Sequence, residues 1–285
     1  MTDERSTISR REFAMLTLAA GLSTAAGADA AAEVIDTDVS VKTPDGTCDA
    51  ALIHPKAGHW PGAIIFTDIF GLRPTMREMA KRLARDGYTV LVPNPFYRST
   101  KAPGLSLDFD FSSPADRAKL DAYRAPMTPE AVMRDAAAYV AYLDAQSSVN
   151  RRAKIGVVGY CMGGPMTLQA AAANPDRIGA GASFHGGGLV TDKPDSPHLL
   201  VAKIKAQFYF GIAQSDDAKQ PDAKIKLKEA FEAAQLPVAI EVYAGTLHGW
   251  CVKDMPLQAG KPIYNEPEAE RAWQELPALY RRALG

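Results

Sequence analysis

The spacing of hydrophobic and polar positions changes several times along this chain, and the changes mark out alternating strands and helices. Val34–Val41 and Thr47–His54 alternate apolar and polar side chains around Pro44-Asp45-Gly46, so they read as a hairpin at the edge of a sheet. Ala63–Phe66 and Tyr88–Pro93 are continuous apolar runs instead, as expected of strands covered on both faces. Between them Pro74–Asp86 has helical spacing and stops at Gly87, a residue suited to closing a helix. Further helices are expected over Ala131–Gln146, Pro165–Ala173, Ala223–Ala234 and Glu266–Leu284. Strands are expected from Lys154 and over Gly179–Phe184, Gln207–Gly211 and Ala239–Tyr243. This alternation predicts an α/β fold with a mostly parallel central sheet and helices on both faces. In such sheets ligands bind beyond the carboxyl ends of the strands. Asp68, Cys161, His185, Asp216 and His248 all fall just past expected strand ends.

Two stretches break the alternation. Asn94–Pro129 is rich in Pro, Ser, Asp and aromatic residues and is long enough to form a functional cap or binding loop over the sheet edge. Residues 1–30 begin with Ser9-Arg10-Arg11-Glu12-Phe13, continue with an apolar run from Ala14 to Ala26, and end on Ala28-Asp29-Ala30. A basic start, a moderately apolar middle and small residues at a cut site resemble a twin-arginine export signal, with cleavage expected near Ala30. The apolar run is too short for a stable membrane span. A periplasmic or otherwise exported location follows as an expectation, and residues 31–285 are expected to form a single catalytic domain.

Composition adds exclusions. A chain of 285 residues that is 47% hydrophobic and 23% charged can bury a full core, which excludes disordered and fibrous classes. A formal net charge of −1 gives no long-range field to attract nucleic acid or an anionic membrane. With three cysteines, Cys48 and Cys251 are the only disulfide pair that spares Cys161, and sequence leaves that pairing open.

The chemistry centres on Gly159-Tyr160-Cys161-Met162-Gly163-Gly164, where an apolar strand runs into a Gly-x-Cys-x-Gly turn and then a helix. That is a nucleophile elbow with cysteine in place of serine. The flanking glycines suit a strained turn that leaves no room for Cβ atoms and raises the central side chain above the sheet. Read more simply, the same residues are a small buried cysteine in a tight turn. Against that stands the chain order of Cys161, Asp216 and His248, which is the order of an α/β-hydrolase triad. His54 and His59 lie in a polar loop and read as bystanders.

The segments Gly159–Gly164, Thr67–Arg73 and Tyr243–Trp250, with Tyr264-Asn265 and Ala272-Trp273, resemble the dienelactone hydrolase family over roughly residues 33–284. The resemblance implies a cysteine-dependent α/β-hydrolase of lactones or carboxylic esters, with a small-molecule substrate and no metal or organic cofactor. It implies Cys161 as nucleophile, His248 as base and Asp216 as the acid that orients the imidazole. Adjacent Asp217, in the same expected loop after Gln207–Gly211, stays open as an alternative, although Asp216 fits the family spacing better. The backbone amides of Met162 and Ile69 would form the oxyanion hole. Asp68 stands where the family has a glutamate that contacts the resting thiol, or else it caps its own loop. Arg98 matches one of two arginines that hold a substrate carboxylate, while the second position carries Val252. Tyr160, His185 and Trp250 are further candidates for substrate contact, with His185 equally suited to bonding a neighbouring loop. The competing reading is a non-catalytic, redox-sensing exported thiol protein on the same scaffold. Oligomeric state is not read from the sequence.

Overall fold

The computed structural model describes residues 33–258 and 260–285, so the segment read as an export signal lies outside the described residues. Eight strands form one sheet: β1 (Val34–Thr43), β2 (Gly46–Pro55), β3 (Gly62–Phe66), β4 (Thr89–Pro93), β5 (Ile155–Tyr160), β6 (Ile178–Phe184), β7 (Gln207–Ala213) and β8 (Val238–Tyr243). Their spatial order is β1-β2-β4-β3-β5-β6-β7-β8. The β1–β2 hairpin pairs antiparallel and β2 joins β4 antiparallel, while every pairing from β4 to β8 is parallel. The edge hairpin expected from alternation is therefore present, as are the fully buried runs of β3, β4 and β5.

Successive residues of each strand feed opposite faces of the sheet. Ile64, Phe66, Leu91, Val157, Phe208 and Phe210 face one core, completed by helices α3 (Pro129–Asp144), α4 (Gly163–Ala173) and α6 (Ala223–Ala233). Ala63, Ile65, Val90, Val158, Tyr160 and Tyr209 face the other, covered by α1 (Pro74–Arg85) and α7 (Glu266–Ala283). Cys48 belongs to the first core and Cys251 packs against the second, so the sheet separates them and both are free thiols.

The chain leaves β3 for β4 on one side and returns to β5 on the other, which makes the β3/β5 junction a point where strand order reverses. A crevice opens beyond the strand ends at such a point, and here it lies between the loop after β3 and the turn after β5.

Two sequence expectations need correction. The Asn94–Pro129 stretch is not only loop, because it contains α2 (Pro114–Arg124). Ser113 caps that helix by accepting a hydrogen bond from the Asp116 amide, and Pro114 opens it with a φ already suited to a helix. Only Leu120 of α2 is buried, and it joins Ile69, Phe70, Phe96 and Leu105 in a small cluster over the β3 loop. Expected as a loop, the segment bearing Asp216 is instead the short helix α5 (Gln214–Lys219), which begins directly where β7 ends. Among the described residues no helix is long and apolar enough to cross a membrane.

Candidate active site

The site starts from a collision that only glycine avoids. A Cβ built on Gly159, near the end of β5, would lie 2.0 Å from the carbonyl oxygen of Gly163 in the first turn of α4. One built on Gly163 would lie 2.2 Å from the carbonyl oxygen of Phe66 at the end of β3. Strand and helix can approach this closely only without side chains at these positions. Between them Cys161 takes a left-handed φ of 52°, a conformation that costs a non-glycine residue and is held here by its surroundings. Its amide donates to the Phe184 carbonyl at 3.2 Å, and its carbonyl accepts from Gly164 at 3.0 Å and Gly187 at 3.3 Å. The thiol is thus presented at the amino end of α4, partly exposed.

His248 arrives from the loop after β8. Its amide donates to Ser215 Oγ at 3.0 Å, its Nδ1 lies 2.7 Å from Asp216 Oδ2, and its Nε2 lies 3.1 Å from Cys161 Sγ. Both ring nitrogens are therefore engaged, one by a carboxylate and one by the sulfur. Asp217 turns away and binds Lys224 Nζ at 2.6 and 2.7 Å. Burial pushes the His248 imidazole down, but Asp216 and Cys161 together outweigh it and raise it to about 10. That proton belongs to the thiol–imidazole couple rather than to either partner alone.

His185 sits beneath this pair on its own left-handed residue, φ 42°, with its amide donating to Gly211 O at 2.8 Å. It is 1% exposed, and neither ring nitrogen has a hydrogen-bond partner. Its ring centroid is 4.9 Å from that of His248 and 5.5 Å from that of Trp250. Burial, and then the neighbouring His248, drive its pKa well below the usual imidazole value, so it stays neutral. Cys161 Sγ and one nitrogen each of His185 and His248 lie within 4.8 Å of one another, a set of donors of the kind that holds a soft divalent ion.

Ile69, Phe70 and Met162 meet in the cluster under α2, which brings the loop after β3 alongside the elbow. The β3 loop is fixed by charge. Asp68, fully buried, accepts from Arg73 Nη1 at 2.7 Å, from Arg73 Nη2 at 3.0 Å and from the Phe70 amide at 2.9 Å. Arg73 reaches on to Asp254 with two bonds of 2.8 Å, tying the β3 loop to the segment that follows His248. Asp68 therefore does not stand as a thiol contact: both of its oxygens are taken by Arg73. Burial raises its pKa in spite of that partner.

Other expected contacts are placed away from the thiol. Arg98 is bound to Asp135 at 2.8 and 2.9 Å and to Asp45 at 2.7 Å, so its charge is neutralised within the protein and is not free for a substrate carboxylate. Tyr160 and Trp250 are buried in the core on the α1/α7 side, because Tyr160 shares strand parity with Val158 and Trp250 packs on Tyr243. Neither reaches the crevice. Val252 is likewise fully buried. His54 and His59 bond to the carbonyls of Pro55 and Ser147, outside the site. The opening beside Met162 is a groove of about 430 Å³ lined by Asp121, Arg124, Met127, Pro165 and Gln169. Arg124 was not among the sequence candidates. Only the short helix α2, itself unexpected, brings it there.

A family model of dienelactone hydrolases matches residues 48–284. The chain belongs to the dienelactone hydrolase family. Its relatives include the carboxymethylenebutenolidase of Rhodococcus opacus, 30% identical, with 85% of this chain and 90% of that protein aligned. A dienelactone hydrolase-like promiscuous phosphotriesterase from metagenomic libraries shares the fold at a TM-score of 0.71 and 20% identity, covering 88% of this chain and 99% of that one. The dienelactone hydrolase of Anabaena variabilis does so at 0.62 and 16%, with the same coverage. These neighbours bear out the α/β-hydrolase fold expected for this family member.

Because His248 titrates higher in the folded chain than its ordinary value of about 6.5, its contribution to stability is complete below that pH. It fades as pH rises toward about 10. The expected result is that the Tm advantage of the wild type over His248→Gln shrinks steadily between those limits, as measured by thermal melts across the range.

Proposed function

We propose that the protein hydrolyses a lactone or carboxylic ester through a covalent acyl intermediate on Cys161. The observation that carries this reading is the chain of contacts from Asp216 through His248 to Cys161, set on a strained elbow beside an open groove. In this scheme the one proton of the thiol–imidazole couple sits on His248 Nε2 as the thiolate attacks the substrate carbonyl carbon. The negative charge that develops on the carbonyl oxygen is met by the Met162 and Ile69 amides. His248 gives its proton to the leaving alkoxide, then takes one from water as that water attacks the acyl carbon; the C–S bond breaks to release the carboxylic acid, and the couple regains its proton. Asp216 holds the imidazole in the tautomer the cycle needs and balances its charge.

With Arg98 engaged by Asp135 and Asp45, recognition of an acidic substrate passes in this reading to Arg124, which carries no ion pair among the described residues. The proposed setting is outside the cytoplasm, after removal of a twin-arginine-type signal at residues 1–30. Supporting it are Arg10-Arg11 and the apolar run that follows. Small-molecule substrates are expected, and neither nucleic acid nor membrane partners.

Mature protein should hydrolyse an activated aryl ester, and Cys161→Ala and His248→Ala should each lower kcat by about 10,000-fold or more. Asp216→Asn should lower it by about 100- to 10,000-fold, with Asp217→Asn close to wild type. Full turnover in Cys161→Ala would sink the proposal. A thiol sensor would instead show reversible oxidation at Cys161 that is indifferent to Asp216.

For substrates, Arg124→Ala should raise KM about 2- to 10-fold for an ester bearing a free carboxylate and leave a neutral ester unchanged, in paired steady-state assays. For location, Edman sequencing of the exported protein should give a start near residue 31, and Arg10→Lys with Arg11→Lys should retain the full-length chain in the cytoplasm.

A further inference from the structure

We infer that Cys161, His185 and His248 form a binding site for a zinc-type divalent cation, one that blocks the thiol rather than serving its chemistry. Three features of the geometry carry this. Their donor atoms lie within 4.8 Å of one another, and His248 Nε2 lies 3.1 Å from Cys161 Sγ. Tetrahedral zinc with bonds of about 2.3 Å to sulfur and about 2.0–2.1 Å to nitrogen needs donors roughly 3.3–3.6 Å apart, so the Cys161–His248 pair opens slightly and His185 closes by at most about an ångström and a half, a shift within reach of side-chain rotation. Thiolate with two imidazoles is also a donor set that favours zinc over hard cations such as magnesium and calcium.

The second feature is His185 itself. A buried imidazole with both nitrogens unpartnered is expensive, and such groups in a folded protein call for an explanation. Its ring lies against His248 on one side and Trp250 on the other. Trp250 Nε1 is also unpartnered, but it is a donor only and offers a cation nothing. The third feature is support behind the ligands. Asp216 Oδ2 lies 2.7 Å from His248 Nδ1, the carboxylate–histidine arrangement that commonly backs a metal-bound imidazole.

Binding balances simply. The Cys161–His248 couple carries one proton, the cation takes the place of that proton, and the proton leaves to solvent. Three protein donors leave the fourth tetrahedral position to a water. Occupancy removes both the nucleophile and the base, so ester turnover stops and returns when a chelator strips the ion. The binding readout stands apart from the proposed reaction and holds whether or not an ester is turned over.

The test uses mature protein freed of metal with EDTA. Titration calorimetry with zinc chloride should give one site per chain at micromolar affinity or tighter. Cobalt chloride should give the near-ultraviolet charge-transfer band of a thiolate bond and visible bands of tetrahedral geometry. His185→Ala and Cys161→Ala should each weaken zinc binding by about 100-fold or more, and Asp216→Asn by about 10- to 100-fold. Should His185→Ala fail to fold, zinc-edge X-ray absorption on the wild type decides independently. One sulfur and two imidazole nitrogens support the site, and a shell of oxygens alone overturns it. Unchanged zinc affinity in folded His185→Ala also overturns it, as does no saturable binding to the wild type.

Discussion

Everything at this site depends on how closely the end of β5 and the start of α4 can approach. The Gly159 and Gly163 positions leave about a bond length and a half between a virtual Cβ and a carbonyl oxygen, well inside van der Waals contact. That approach forces Cys161 into a left-handed conformation and turns its side chain out of the core. The thiols of Cys48 and Cys251 show the alternative. Cys48 is sealed in one core and pushed up to about 12 by burial, and burial raises Cys251 as well. Three cysteines of one chain thus differ in chemical availability because backbone sterics, not sulfur chemistry, decide which one meets a histidine.

A second constraint is electrostatic, and it acts through the backbone. Arg73 is nearly buried and spends its guanidinium on two carboxylates, Asp68 in the loop after β3 and Asp254 in the segment after His248. A buried ion pair contributes little net stability, since desolvating the charges offsets much of their attraction. Its directional value is larger. Two bidentate contacts at right distances fix two loops relative to each other, and those loops carry the Ile69 amide and the His248 imidazole. The carboxylate that sequence placed beside the thiol is thereby converted into a strut.

Much of this was legible in the chain. The change from alternating to continuous apolar runs separates the edge hairpin from the buried strands, and Gly-x-Cys-x-Gly marks the elbow without any knowledge of contacts. Tyr160 was legible too, had strand parity been followed: with Val158 it must face the α1/α7 side, opposite Val157. Helix α2 was hidden because an exposed cap helix buries one residue, Leu120, and so has almost no apolar period to detect, although Ser113-Pro114 with Asp116 was a start signal in plain view. The choice between Asp216 and Asp217 was not decidable from neighbours in sequence. It rests on which face of a single helical turn meets His248 and which meets Lys224, and adjacent helical residues point about 100° apart.

The fate of Arg98 shows how a familiar residue can keep its position and lose its role. An arginine available to a ligand must have unspent hydrogen-bond donors directed at the cavity. Here Asp135 on α3 and Asp45 in the β1–β2 turn accept from it, and the Tyr97 ring lies beneath its guanidinium. A substrate carboxylate would have to compete with two carboxylates that are already in place and already desolvated on one side. The exchange returns no net charge-assisted bonds, so selection for an acid at this position has no driving force. What remains unspent around the crevice is the exposed end of α2, an element held to the β3 loop through Leu120 and its small apolar cluster. In the proposed reading, specificity is therefore coupled to the seating of that cap helix, whereas the thiol, its histidine and its carboxylate are held by the ends of the sheet strands below.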